Sequence, residues 1–110
     1  MSFKNFDVEV QNLDDSTPEQ FNGNVATVGS VVTLVPTSAK PIQFAYIEVN
    51  GRRDPDNPNA INDAIKYSID GGTNFNTLMA GESVSLSGIF TDLRLDTNED
   101  GTNYQVILWS

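Results

Sequence analysis

The sequence predicts an all-β chain, an antiparallel β-sandwich, jelly-roll-like, of about seven to eight short strands. Three observations predict it. Apolar residues recur with period two rather than the helical 3.6. Glycine-bearing turns punctuate the runs: Asn22-Gly23, Asn50-Gly51, Asp70-Gly71-Gly72, Ala80-Gly81-Glu82 and Asp100-Gly101. Helix signals are scarce, since only Thr17-Pro18-Glu19-Gln20 has the cap, first-position proline and Gln of a single helical turn.

The runs follow in order. Phe6-Asp7-Val8-Glu9-Val10-Gln11 alternates, with Phe6, Val8 and Val10 on one face. Val31-Val32-Thr33-Leu34-Val35 is β-branched and stops at Pro36. Residues 42–49 are apolar on both faces, with Ile42, Phe44 and Tyr46 on one and Ala45, Ile47 and Val49 on the other. That pattern predicts a central strand covered on both sides. Ile65, Tyr67 and Ile69 align, as do Ile89, Leu93 and Leu95. Ser83-Val84-Ser85-Leu86-Ser87 alternates, and residues 103–109 are again apolar on both faces. The second face of that last run needs a cover, from the same chain or from another copy. Residues 14–24 and 51–63 are long, polar and poor in core residues, so both read as projecting loops.

At 110 residues the chain has the size of one domain, and no linker or internal repeat divides it. Fifteen acidic residues against six basic ones give a net charge of −9. That balance opposes binding to nucleic acid and to anionic membranes, both of which need clustered Lys and Arg. Cysteine and histidine are both absent. Thiol chemistry, histidine acid–base catalysis and zinc held by nitrogen or sulfur are therefore excluded. No Walker, dinucleotide or nucleophile-elbow pattern occurs, and the acids fall mostly in turns, so the chain reads as no enzyme. The start lacks the apolar run of a secretory leader, and cytoplasmic synthesis is the expectation.

Two turns resemble known motifs. Asp96-Thr97-Asn98-Glu99-Asp100-Gly101 matches the opening of an EF-hand loop, in which alternate oxygens converge on calcium. Asp96, Asn98 and Asp100 are thus candidate calcium ligands, although Ile107 stands where the loop's bidentate Glu belongs. The competing reading is an acidic hairpin turn. Ser68-Ile69-Asp70-Gly71-Gly72-Thr73-Asn74-Phe75 resembles an Asp-box, with Ser68, Asp70 and Gly72 matching and Asn74-Phe75 replacing Thr-Trp. The resemblance implies a hairpin brace in which the Asp carboxylate ties down turn amides. Candidate contact residues are Phe3 and Phe21, outside the alternating runs, the adjacent Arg52 and Arg53, and Trp109.

Residues 41–109 resemble the small β-sandwich structural proteins of tailed-phage virions. The carrying stretches are Tyr67-Ser68-Ile69-Asp70-Gly71-Gly72 and Leu78-Met79-Ala80-Gly81-Glu82-Ser83-Val84-Ser85-Leu86. The resemblance implies a capsid decoration (cement) protein or a related head or tail component, without cofactor, forming a homotrimer and bound to the major capsid protein or another virion protein. Residues 1–5 and 14–24 are then the expected contact arm and loop. The alternative is a carbohydrate-binding β-sandwich module, calcium-braced, using rings among Tyr46, Tyr67, Tyr104 and Trp109.

Overall fold

A computed structural model describes residues 18–57 and 59–110. Eight strands occur there: β1 Pro18–Val25, β2 Val32–Leu34, β3 Ile42–Asn50, β4 Ala64–Ser68, β5 Asn76–Met79, β6 Ser83–Phe90, β7 Leu93–Thr97 and β8 Thr102–Trp109. They form two antiparallel four-stranded sheets, ordered β1-β8-β3-β6 and β2-β7-β4-β5. Four pairings have a common logic: β1 with β8, β2 with β7, β3 with β6, and β4 with β5. First meets last, second meets second-to-last, and so inward to the β4–β5 hairpin. This is a long two-stranded ribbon rolled up on itself, with β3·β8 and β4·β7 joining its turns. The strand order is that of a jelly roll, so the expected fold class holds.

Alternation places the core between the sheets. Ala45, Ile47 and Val49 of β3 lie beside Val106 and Leu108 of β8 and share one core with Leu93 and Leu95 of β7 in the other sheet, all with no exposure. Each Val, Leu or Ile side chain among them contributes about 1.5–3 kcal/mol by leaving water. The inward hydroxyls are paired: Thr97 and Thr102 lie 2.7 Å apart, with the carbonyls of Ala64 and Glu99 in reach. A buried hydroxyl needs such partners.

Three expectations need correction. Residues 18–25 are neither a projecting loop nor a helical turn but an eight-residue strand, paired with β8 along its whole length. Phe21 packs against the core and Val25 is buried, so tertiary pairing overrides the local cap signal. Gly23 sits between them, where a Cβ would lie 3.0 Å from the Tyr104 hydroxyl. The run from Ile89 to Leu95 is two strands, β6 and β7, parted at Thr91 and Asp92. Ile89 stands 81% exposed instead of sharing the face of Leu93 and Leu95. Ile42 turns to the core, away from Phe44 and Tyr46, because the β3·β6 register shifts there and Gly88 and Ile89 oppose Gln43 alone. Gly88 takes φ 146° at this bulge, a conformation that favours glycine. The alternating stretch 6–11, Phe3, the arm at 1–5 and residues 14–17 lie outside the described residues.

The packing predicts a sharp contrast between two aliphatic truncations. Leu95→Ala, at 0% exposure, is expected to cost about 2–5 kcal/mol in chemical denaturation. Ile61→Ala, at 49% exposure, is expected to stay within about 0.5 kcal/mol of the parent. Equal losses at the two positions would contradict the placement of the core.

Candidate functional site: an aromatic sheet face poor in charge

The two sheets present different outer faces. On the β2-β7-β4-β5 sheet the outward positions carry charge: Lys66 lies opposite Asp96, and Arg94 lies between Thr33 and Ser68. On the β1-β8-β3-β6 sheet they carry rings and amides. The register aligns Pro18, Trp109, Phe44 and Ser87 in one row, then Gln20, Ile107, Tyr46 and Ser85 in the next. Below them come Asn22, Gln105, Glu48 and Ser83. Glu48 is the one charged side chain among these three rows.

The aromatic end is organised. Phe44 and Trp109 meet edge to face, with centroids 5.1 Å apart and planes at 70°. Such geometry sets the positive edge of one ring against the negative face of the other. The Tyr46 hydroxyl donates to Glu48 Oε1 at 2.9 Å. Phe44, Tyr46, Ile107 and Trp109 are all half-buried. Strand alternation dictates this arrangement, since the residues between them, Ala45, Ile47, Val106 and Leu108, fill the core. Of the rings considered for a carbohydrate platform, Tyr46 and Trp109 therefore reach this face. Tyr104 is buried in the core and Tyr67 packs against it.

The three candidate calcium ligands are engaged elsewhere. Asp96 Oδ1 accepts from the Gly29 amide at 2.9 Å and from Thr97 at 2.8 Å. Asp100 Oδ1 accepts from the Val28 amide at 2.8 Å. Asn98 Oδ1 accepts from Ala64 at 2.7 Å, and its amide group donates to the Asn62 carbonyl at 2.7 Å. The β7–β8 turn thus clamps the β1–β2 connection on one side and the start of β4 on the other. Among the described residues no group of three or more acidic side chains is placed to hold a metal ion.

Both arginines are likewise tied back. Asp63, 4% exposed, accepts from the Arg52 amide at 2.7 Å and from its guanidinium at 2.9 and 3.2 Å. The bond from the guanidinium holds the Asp63 carboxyl below its ordinary range against the opposing effect of burial. Any side chain at Gly51 would collide with that carboxylate. Arg53 donates to the Ala80 carbonyl at 3.3 Å. The segment 51–63 is therefore pinned at its base. Asp63, which does this, gives no sequence signal beyond being one acid among fifteen.

The Asp-box reading is met in detail. Asp70 Oδ1 accepts from Ser68 Oγ at 2.7 Å and from the amides of Thr73 and Asn74 at 3.1 and 3.0 Å. Oδ2 accepts from the Asn74 side chain at 2.8 Å. Ser68 Oγ accepts in turn from the Gly72 amide at 3.0 Å. A second brace closes the β5–β6 turn, where Glu82 Oε1 accepts from the Met79 amide at 2.8 Å. Both stretches that carry the virion resemblance are accounted for by these two hairpins.

No protein-family model matches the chain, and comparison with curated proteins gives no match.

The brace makes stability depend on acid. The Asn74 amide, with the Ser68 hydroxyl and the Asn74 side chain, lowers the Asp70 pKa to about 2 from 3.8. A lowered folded-state pKa stabilises fully above the unfolded value and loses that contribution as pH falls through the folded one. Asp70→Asn is thus expected to melt below the parent at neutral pH, with the gap closing as pH falls from about 4 toward 2. Thermal melts at several pH values check it. A gap unchanged across that range would contradict the brace.

Proposed function

We propose that this chain is a non-enzymatic structural subunit of a phage virion, a decoration protein that binds a shell protein through the outer face of the β1-β8-β3-β6 sheet. One observation carries the proposal: a chain of net charge −9 keeps rings, amides and hydroxyls together on one sheet face with Glu48 as its lone charge. Depletion of charge and enrichment in aromatics distinguish the centre of protein–protein contacts from ordinary surface. The sequence resemblance supplies the virion. The jelly roll is a fold that capsid proteins use, and it also serves lectins and other proteins, so the fold is compatible with the reading without selecting it.

A carbohydrate-binding module is the second reading. Tyr46 and Trp109 beside Gln105, Glu48 and Asn22 favour it, because sugars bind rings flanked by amides and carboxylates. The 70° angle between Phe44 and Trp109 disfavours a flat stacking platform.

Co-sedimentation with phage heads stripped of their decoration subunits tests the proposal. The parent is expected to pellet with the heads, in calcium and in chelator alike. Trp109→Asp and Ile107→Lys are each expected to weaken binding by about tenfold or more, the scale of a buried aromatic anchor. Near-ultraviolet circular dichroism confirms that the variants fold. Failure of the parent to pellet, together with glycan-array binding that Trp109→Ala abolishes, would overturn the decoration reading in favour of the carbohydrate one.

A further inference from the structure

Strand β6 is an edge of its sheet among the described residues. Each sheet ends in two edge strands, and proteins ordinarily blunt such edges by shortness, proline, charge or a bulge. Here β2 has three residues and β5 has four. Strand β1 opens on Pro18 and carries Glu19. Strand β6 has eight residues, with no charge and no proline, and is blunted only by the bulge at Gly88 and Ile89. Among the described residues, the backbone of 83–87 makes no hydrogen bond outside the sheet.

We propose that residues 83–87 of β6 pair antiparallel with the same residues of a second copy of this chain, joining two β1-β8-β3-β6 sheets edge to edge. The segment Ser83-Val84-Ser85-Leu86-Ser87 reads nearly the same in both directions. An antiparallel twofold centred on Ser85 therefore sets Ser83 opposite Ser87, Ser85 opposite itself, and Val84 opposite Leu86. Every pair is matched in face: serines meet on the outer surface, and the half-buried Val84 and Leu86, already packed against the core, meet on the inner side. A one-residue slip would set serine against valine and turn apolar side chains outward. An alternating stretch without charge matches itself in this register, because every cross-strand pair shares a face and no like charges meet.

Charge favours the same place. Two copies of net charge −9 repel, and an uncharged strand is where their backbones approach with least opposition. Association is accordingly expected to strengthen with salt. The bulge limits the pairing to this stretch, because Gly88 and Ile89 leave the ladder and line, with Pro41 and Gln43, an open depression of about 330 Å³. The contact is twofold, in place of the trimer that the virion resemblance implies. It uses the backbone edge of β6 and leaves the Trp109, Phe44 and Ile107 side chains untouched, although Ser83, Ser85 and Ser87 border both surfaces.

Light scattering on paired charge variants tests both the pairing and its register. The parent is expected to show twice the chain mass, more fully at high salt. Ser83→Lys with Ser87→Lys sets like charges opposite at both ends and is expected to give a folded monomer. Ser83→Lys with Ser87→Glu sets opposite charges there and is expected to restore the doubled mass. A parent that stays monomeric at high salt and concentration would overturn the proposal. So would a doubled mass that survives the Lys–Lys variant, or a monomer whose β6 amides become protected only on adding an unrelated extended peptide.

Discussion

Strand β8 is the element on which the remaining structure depends. It is hydrogen-bonded on both sides, to β1 over residues 102–109 and to β3 over residues 103–109. Thr102, Tyr104, Val106 and Leu108 face the core from it, all nearly or wholly removed from water. Interior polar backbone must be paired to be tolerated, and β8 achieves this from both sides. Its pairing with β1 closes the rolled ribbon, and its pairing with β3 joins the ribbon's outer and inner turns. The contacts of β8 are also the least local in the chain, so the core is complete only when its last strand has docked.

The same strand creates the surface on which a function can rest. Because inward residues of β3 and β8 fill the core, Phe44, Tyr46, Ile107 and Trp109 have no place but the outside. The acids are largely occupied elsewhere. Asp63, Asp70, Glu82, Asp96 and Asp100 each hold backbone amides, and Glu19 holds the amide and hydroxyl of Thr37. The negative charge of this protein is thus in good part structural, used to satisfy turn amides where a neutral polar residue would do so more weakly. Charge gathers in turns and on one sheet, and the three outward rows of the other sheet carry Glu48 alone.

Most of the strands were legible from alternation, because the side chains they turn inward are largely aliphatic. The misses have physical reasons. In β1 the inward series is Phe21, Gly23 and Val25, and a glycine that makes room for the Tyr104 ring breaks the pattern. In β5 Leu78 is the only buried residue of a four-residue strand, too little for a period to show. The irregularity between Ile42 and Phe44 breaks the parity that would have aligned those two, and the chain reversal at Thr91 and Asp92 parts Ile89 from Leu93. The site was half legible. Two-faced apolarity in 103–109 pointed to a face in need of cover, and Trp109 was singled out from it, whereas 42–49 read as covered on both sides and its Phe44 and Tyr46 are only half-buried. The EF-hand-like spacing is ambiguous in sequence because hairpin turns and ion loops ask for the same residues: short oxygen-bearing side chains and a glycine. Only the positions of the amides around Asp96, Asn98 and Asp100 separate the two.

Amide hydrogen exchange tests the central role of β8 most directly. Strands with two neighbours and a buried face open only with global unfolding, whereas short edges open locally. The amides of β3 and β8 should be the slowest to exchange, at rates set by global stability, with those of β2 and β5 far faster. Exchange of β8 as fast as that of β2 would show that the last strand frays from the sheet, and would contradict the account.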